Sequence, residues 1–212
     1  MSGIIDLLNS DMGRQIIQGV SNQTGAPENK TADVLGSAIP LLLGAMQRNA
    51  SSQQGAEGLL SALSSNKHDG SLLDNLSGFF GGGVDNSAIS DGAGILGHVL
   101  GNKQPAVENA LSRKSGLDAG TITQILKIAA PLIMAYLGKQ TRTNQVSSSN
   151  DIGGLLGNLM GSQPKQEQSL ITSLLDADGD GSMIDDVAGM VLGGNKKKGG
   201  LGGMLGGLFG NK

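Results

Sequence analysis

The sequence predicts an all-α fold made of two tandem copies of a short-helix array. Three observations support this prediction: aromatic residues make up only 2% of the 212 residues, apolar residues recur at the helical spacing of three and four, and one helical pattern occurs twice along the chain. Sheet cores usually draw on β-branched and aromatic side chains, so a core this poor in aromatics favours helices. The chain is long enough to bury one or two such cores.

The internal repeat is seen in two segments that lie 91 residues apart, 20–46 and 111–137. They align without a gap, and apolar positions also match where the residues differ. Identical pairs are Ser21 and Ser112, Gly25 and Gly116, Leu35 and Leu126, Ala38 and Ala129, Pro40 and Pro131, and Leu41 and Leu132. Further matches follow with small shifts, since "GLLSAL" recurs as "GLLGNL" and "SLLDNL" as "SLITSLL". The chain therefore reads as two copies of one helical unit.

Each copy is predicted to contain a helix, a polar turn and a longer apolar helix. The first helix is expected to end at a left-handed glycine, Gly25 or Gly116. In the second copy the next helix is expected to begin near Thr121, with Gln124 completing a capping box. The proline of "AIPLLL" and "AAPLIM" is expected to kink or break that long helix, because proline removes a backbone donor and crowds the preceding turn.

Composition divides the chain into four predicted regions. They are a first helical repeat (1–80), a glycine-rich linker (81–93), a second helical repeat (94–194) and a low-complexity Gly/Lys tail (195–212). A polar loop is expected at 141–151. The tail holds too many glycines to keep a helix in water and is predicted to be disordered; the alternative is an apolar segment for self-association.

The stretch "LLDADGDGSMIDD" predicts a calcium loop in the second copy. Asp176, Asp178, Asp180 and Gly181 match positions 1, 3, 5 and 6 of an EF-hand loop, where short carboxylates meet a hard cation and glycine allows the sharp turn. Val187 occupies position 12, which normally holds a bidentate Glu. The remaining predicted ligands are Ser182, through its carbonyl, and Asp185 or Asp186.

The alternative interpretation of this loop is an ordinary turn. Asp185 lies at capping-box spacing from Ser182, and aspartate and glycine are common in turns. Three carboxylates at alternate positions repel one another without a cation, which favours Ca²⁺. The first copy keeps Asp74 opposite Asp176 but has Leu76 and Gly78 at the next two ligand positions. Only the second copy is predicted to hold the ion.

Three segments together resemble a known bacterial family. They are "RNASSQQGAEGLLSAL", "SGLDAGTITQILKIAAPLIMAYLG" and "LLDADGDGSMIDDVAGMVLGG", and they are similar to the YidB-like family, domain of unknown function 937. The resemblance covers nearly the whole chain except the tail. It implies an all-α array of short helices and no established activity.

Charge and motifs exclude several classes of function. A net charge of −3 predicts no binding to nucleic acid, and the lack of cysteine excludes thiolate metal sites. There is no secretory signal, so the cytoplasm is the default location, without excluding another export route. The most apolar window, 122–137, is too short to span a bilayer and is predicted to be a buried helix.

No catalytic constellation is recognisable in the sequence. "GAGILG" (92–97) matches a dinucleotide fingerprint but has no strand before it, so it is interpreted as a glycine-rich helix entry. His68 and His98 are isolated and are expected to be surface or helix residues. The sequence thus predicts a non-enzymatic helical binding or scaffold protein that carries Ca²⁺ and has an unidentified partner. The alternatives are a structural protein that assembles through its tail, and an enzyme of unidentified reaction.

Overall fold

The computed structural model describes residues 4–160, and all regular structure in this part of the chain is helical. The all-α prediction is therefore confirmed for these residues. The elements are α1 (Ile4–Asn9), α2 (Asp11–Thr24), α3 (Glu28–Asn49), α4 (Gln53–Leu63), α5 (Ser71–Asp74), α6 (Leu76–Gly81), α7 (Asn86–Leu100), a 3-10 turn (Gly101–Lys103), α8 (Gln104–Ser115), α9 (Ala119–Thr143) and α10 (Ser149–Met160). The predicted calcium loop and tail lie outside the described residues.

The helices α2 and α8 end in the same way, at left-handed glycines. Gly25 has φ 71° and Gly116 has φ 70°, and each donates its N–H to the carbonyl four residues earlier at 2.8 Å. The hydroxyls of Ser21 and Ser112 each donate to the carbonyl five residues downstream at 2.6 Å. Both predicted glycine stops are confirmed, because only glycine adopts this backbone without strain.

Helix α9 begins earlier than the sequence predicted. Its N-cap is Asp118, whose carboxylate accepts hydrogen bonds from the backbone N–H of Thr121 at 2.9 Å and from its hydroxyl at 2.6 Å. The predicted cap at Thr121 was wrong, because Thr121 occupies the first turn and is itself the donor. These bonds from Thr121 lower the pKa of Asp118 below its ordinary value.

Neither long helix breaks at its proline. Pro40 lies inside the 22-residue α3 and Pro131 inside the 25-residue α9. Both prolines are buried among neighbouring helices. A proline in a helix interior costs about 3 kcal/mol, and the packing of so many apolar residues along both helices outweighs that cost. The break, one of the two predicted effects, does not occur for this reason, and the kink stays a prediction.

A single apolar cluster joins the two halves of the described chain. Helices α3 and α9 lie at its centre and pack against each other. Helix α9 also contacts α2, α4 and α5 from the first half, while α3 contacts α7, α8 and α10 from the second half. The packing is reciprocal, because α4 lies on α9 and α10 lies on α3.

Two predicted loops are shorter in the structure. Part of the predicted linker 81–93 is helical, since α7 begins at Asn86, and its burial against α9 offsets the weak helix propensity of its glycines. The predicted polar loop 141–151 shrinks to the residues between Thr143 and Ser149. Helices α7, α9 and α10 therefore extend into segments that composition alone assigned to loops.

The apolar window of α9 is a buried helix, as predicted. The expectation that this segment is too short to span a bilayer was wrong, because α9 extends over 25 residues, long and apolar enough to cross a membrane. However, 67% of its 18-residue apolar stretch is buried within the protein. Core helices of soluble proteins show the same combination. The helix therefore gives only weak evidence for a membrane span.

Two glycines allow the backbone of α9 to meet its neighbours directly. A Cβ atom at Gly92 of α7 would lie 1.8 Å from the carbonyl oxygen of Lys127. A Cβ atom at Gly138 of α9 would lie 1.8 Å from the carbonyl oxygen of His68. Both positions require glycine because backbone atoms cannot move aside as a flexible side chain can.

We predict that Gly92→Ala lowers the free energy of unfolding by roughly 1–3 kcal/mol, because the methyl group forces α7 away from α9. Gly94→Ala is the matched control. It lies on the same helix, and its Cβ would meet nothing within 4 Å, so it should raise stability by about 0.5–1 kcal/mol. Urea denaturation measures both changes, and equal effects would contradict the close packing of α7 on α9.

We predict that Asp118→Ala destabilises α9 in a pH-dependent manner. The folded pKa of Asp118 is lowered by its bonds to Thr121, so its ionised form stabilises the fold above the unfolded pKa of about 3.9. That contribution is lost as the pH falls through the folded pKa. Thermal melts should show that the melting temperature of Asp118→Ala lies below that of the wild type at pH 7. The two values should converge as the pH falls to 2.

Asp118→Asn is the control for the pH effect. Asparagine still accepts a hydrogen bond at an N-cap but does not titrate. Its melting temperature should stay closer to that of the wild type at neutral pH. A constant difference between wild type and Asp118→Ala at every pH would show that the charge of the carboxylate is unimportant.

Candidate binding cleft

A cleft of about 940 Å³ opens between α4 and α7, above the C-terminal end of α3. Apolar side chains from four helices line its interior, and charged and polar side chains surround it. The apolar lining comprises Met46, Leu59, Ala62, Ile95, Val99 and Met134. The polar lining comprises Arg48, Asn49, Ser51, Ser52, Gln54, His68, Ser90, Asp91 and His98.

Glycines in both walls leave the cleft open. A Cβ atom at Gly58 of α4 or at Gly94 of α7 would meet nothing within 4 Å, so neither wall carries a side chain at these points. Gly55 has another role, because its Cβ would lie 1.9 Å from the carbonyl oxygen of Asn49. Its N–H donates to the hydroxyl of Ser52 at 3.1 Å, which caps α4 and fixes the start of that wall.

The ends of α3 and α7 are held together at one side of the cleft. The amide nitrogen of Asn49 donates to the backbone carbonyls of His98 at 3.1 Å and of Val99 at 3.2 Å. One side chain thereby satisfies two carbonyls in the last turn of α7, where no intrahelical donor remains for them. This contact sets the distance between the two helices.

His68 joins the loop after α4 to α7. The residue is only 6% exposed. Nε2 lies 3.0 Å from a carboxylate oxygen of Asp91, and Nδ1 lies 3.1 Å from the carbonyl oxygen of Ala62. The expectation of a surface or helix residue was wrong for His68, because the loop between α4 and α5 folds it inward. Both ring nitrogens face protein oxygens, so neither is offered to a ligand.

The loop that carries His68 is anchored to α9 by charged residues. Arg142 donates from Nη1 to the carbonyl of Asp69 at 2.9 Å, and Lys139 donates to the carboxylate of Asp74 at 2.8 Å. Hydrogen bonds from the hydroxyl and backbone N–H of Ser71, with a smaller contribution from Arg142, lower the pKa of Asp69. These contacts hold the loop and α5 against α9.

Comparison with protein families identifies the group to which this chain belongs. The model of a family described as bacterial protein of unknown function (DUF937) matches residues 6–140 and 148–212. The chain is a member of the DUF937 family. This confirms the resemblance found in the sequence, and the family description assigns no activity. No curated protein and no solved structure matches the chain.

The predicted calcium ligands of this DUF937 protein lie outside residues 4–160. Asp176, Asp178, Asp180, Ser182, Asp185 and Asp186 therefore remain a prediction. Within the described part of the chain, no group of three or more His, Asp or Glu residues is arranged to hold a metal ion. Asp74, which aligns with Asp176, forms an ion pair with Lys139.

The dinucleotide-like glycine motif of this DUF937 protein has a packing role. Residues 92–97 lie in the middle of α7, not at its start as predicted. Gly92 allows close contact with α9, and Gly94 opens the wall of the cleft. No sequence pattern pointed to the cleft, because His68 and Asp91 are 23 residues apart and come together only in the tertiary structure.

We predict that His68→Ala lowers the free energy of unfolding by about 1–3 kcal/mol, because it leaves Asp91 and the carbonyl of Ala62 without their partner. The exposed His98, which lines the same cleft, is the matched control. His98→Ala should change stability by less than about 0.5 kcal/mol. Similar losses from both substitutions, measured by urea denaturation, would show that the His68–Asp91 contact adds no stability.

Proposed function

We propose that this DUF937 protein is a non-enzymatic helical binding or scaffold protein whose binding surface is the α4–α7 cleft. The observation that carries the proposal is the cleft itself, which combines an apolar interior with a polar rim. Ligand sites commonly have this character and a volume of roughly 300–1,000 Å³. The partner that fits is a short protein segment whose apolar side chains enter between Leu59 and Ile95.

The contacts of His68 favour a structural role over a catalytic one for this residue. A general base needs a nitrogen or oxygen within reach of a substrate proton. The buried His68 has both nitrogens directed at Asp91 and Ala62. Its contacts are those of a residue that fixes the distance between the loop and α7.

The proposal includes one Ca²⁺ ion in the loop at 176–186. Its support is the pattern of the sequence, in which Asp176, Asp178 and Asp180 precede Gly181. The carbonyl of Ser182 and the carboxylate of Asp185 or Asp186 would complete the coordination. Because position 12 lacks its usual Glu, the expected dissociation constant is about 10⁻⁴ to 10⁻³ M.

The proposal also treats the chain as an internal duplication. Matching hydrogen bonds 91 residues apart support it. Besides the two glycine stops, the hydroxyl of Thr24 donates to the carbonyl of Val20 at 2.8 Å, and that of Ser115 to the carbonyl of Leu111 at 2.7 Å. The reciprocal packing of α4 on α9 and α10 on α3 has the form expected of two related units that exchange helices.

An apolar fluorescent dye, 1-anilinonaphthalene-8-sulfonate, tests the cleft. We predict saturable one-site binding to the wild type and at least about tenfold weaker binding to Gly94→Leu, because the new side chain enters the cleft. The control is Gly97→Leu, on the same helix but outside the cleft lining, where a Cβ also meets nothing within 4 Å. Equal loss in both variants, or equal retention, would refute the cleft as the binding surface.

Calorimetric titration with Ca²⁺ tests the metal loop. The chelator-stripped wild type should bind one ion and gain melting temperature, since a ligand that binds only the folded state stabilises it. The triple variant Asp176→Ala, Asp178→Ala, Asp180→Ala should lose both effects. Asp74→Ala, the aligned position in the first copy, should keep them. If millimolar Ca²⁺ produces neither heat nor a shift in melting temperature, the loop does not bind calcium and is an ordinary turn.

A further inference from the structure

The candidate cleft is assembled from both halves of the chain. Its lining from α3 and α4 belongs to residues 4–81, and its lining from α7 and α9 belongs to residues 86–160. The contacts that hold its walls also cross between the halves, since Asn49 binds the end of α7 and His68 contacts Asp91. Neither half by itself therefore contains the cleft.

Helices of each half pack on the other half. Helix α10 follows α9 in the sequence but contacts α3 and α4 of the first half, and α5 contacts α9 of the second half. Polar contacts cross in the same way: Nζ of Lys114 donates to the hydroxyl of Ser37 at 2.8 Å, and Lys139 forms an ion pair with Asp74. The two halves thus share one interlocked interface and one apolar cluster.

A short connection joins the halves in sequence. Residues 82–85 lie between the end of α6 and the start of α7. Gly82 and Gly83 are exposed, and a Cβ atom at Gly82 would meet nothing within 4 Å. The N–H of Val84 donates to Oε1 of Gln23 at 3.1 Å, which holds the connection against α2. Glycine adopts folded and extended backbone conformations with little penalty, so the connection can also extend away from α2.

We propose that two copies of the chain exchange their halves at this connection and form a dimer. Residues 4–81 of one copy then pack on residues 86–160 of the other. Each of the two clefts receives its α4 wall from one copy and its α7 wall from the other, so the second copy supplies part of every binding site. The exchange does not depend on what the cleft binds, and only the dye measurement below rests on the proposed function.

The balance between monomer and dimer depends on concentration and on the connection. The contacts between the halves form again in the dimer, so the two states differ in the connection and in the lost independent motion of two chains. A short flexible connection holds its ends at an effective concentration of about 1 mM. We therefore expect dimers when the unfolded chain refolds near that concentration. They should persist after dilution, because separating the copies exposes the shared apolar cluster.

Complementation between two blocked clefts tests the exchange in the full-length protein. Gly58→Leu fills the α4 wall and Gly94→Leu fills the α7 wall, at positions where a Cβ atom meets nothing within 4 Å. Each variant refolded alone should bind 1-anilinonaphthalene-8-sulfonate weakly. When both are refolded together from urea, about a quarter of the clefts in the dimer fraction should bind the dye as the wild type does. Half of the dimers are then mixed, and one cleft of each mixed dimer has two wild-type walls.

The outcomes of this experiment are distinct. If the mixture binds no more dye than the two variants refolded separately, while the wild-type dimer binds it, the proposal is overturned, because a dimer that keeps its own halves cannot rebuild a cleft. The absence of any dimer after refolding at about 1 mM overturns it as well. If the wild type binds no dye, the proposed function fails instead, and a disulfide measurement decides the exchange.

A disulfide across the halves tests the exchange without a ligand. The chain has no cysteine of its own, and a Cβ atom at Gly157 of α10 would lie 3.4 Å from Nε2 of Gln47 of α3. Gln47→Cys with Gly157→Cys should therefore form a disulfide within the monomer. In the exchanged dimer the same pair joins two chains, so the oxidised dimer fraction should run as a covalent dimer without reducing agent, whereas Gln47→Cys alone should not. Migration of that fraction as a monomer overturns the proposal.

Discussion

The burial of α9 is the constraint on which the rest of the structure depends. Fourteen residues of this one helix are buried, and most of them are aliphatic. With three Phe, one Tyr and no Trp in the chain, no large ring can cover such a helix. It is covered instead by several helices that approach closely, and Gly92 and Gly138 permit the closest approaches.

This packing also produces the candidate binding site. Helices α4 and α7 both lie on α9, one from each half of the chain, so a gap remains between them. Glycines in both walls keep the gap open, while Asn49 and the His68–Asp91 contact fix its width. The cleft is thus a consequence of how small residues allow helices to pack, with polar contacts that make its shape specific.

Close helix packing also links the two halves of the molecule. Each central helix is covered partly by helices of the other half, so neither half has a complete core of its own. The recurring glycine stops and serine hydroxyl bonds show how similar local sequence gives similar local geometry.

The sequence by itself determined the helical class, the stops at Gly25 and Gly116, and the burial of the apolar window in α9, because these follow from local conformation and periodicity. It also determined membership of the DUF937 family. It did not determine the start of α9, the continuity through Pro131 or the inward position of His68. Those depend on competition among caps and on packing between residues far apart in the chain, which only the tertiary structure decides.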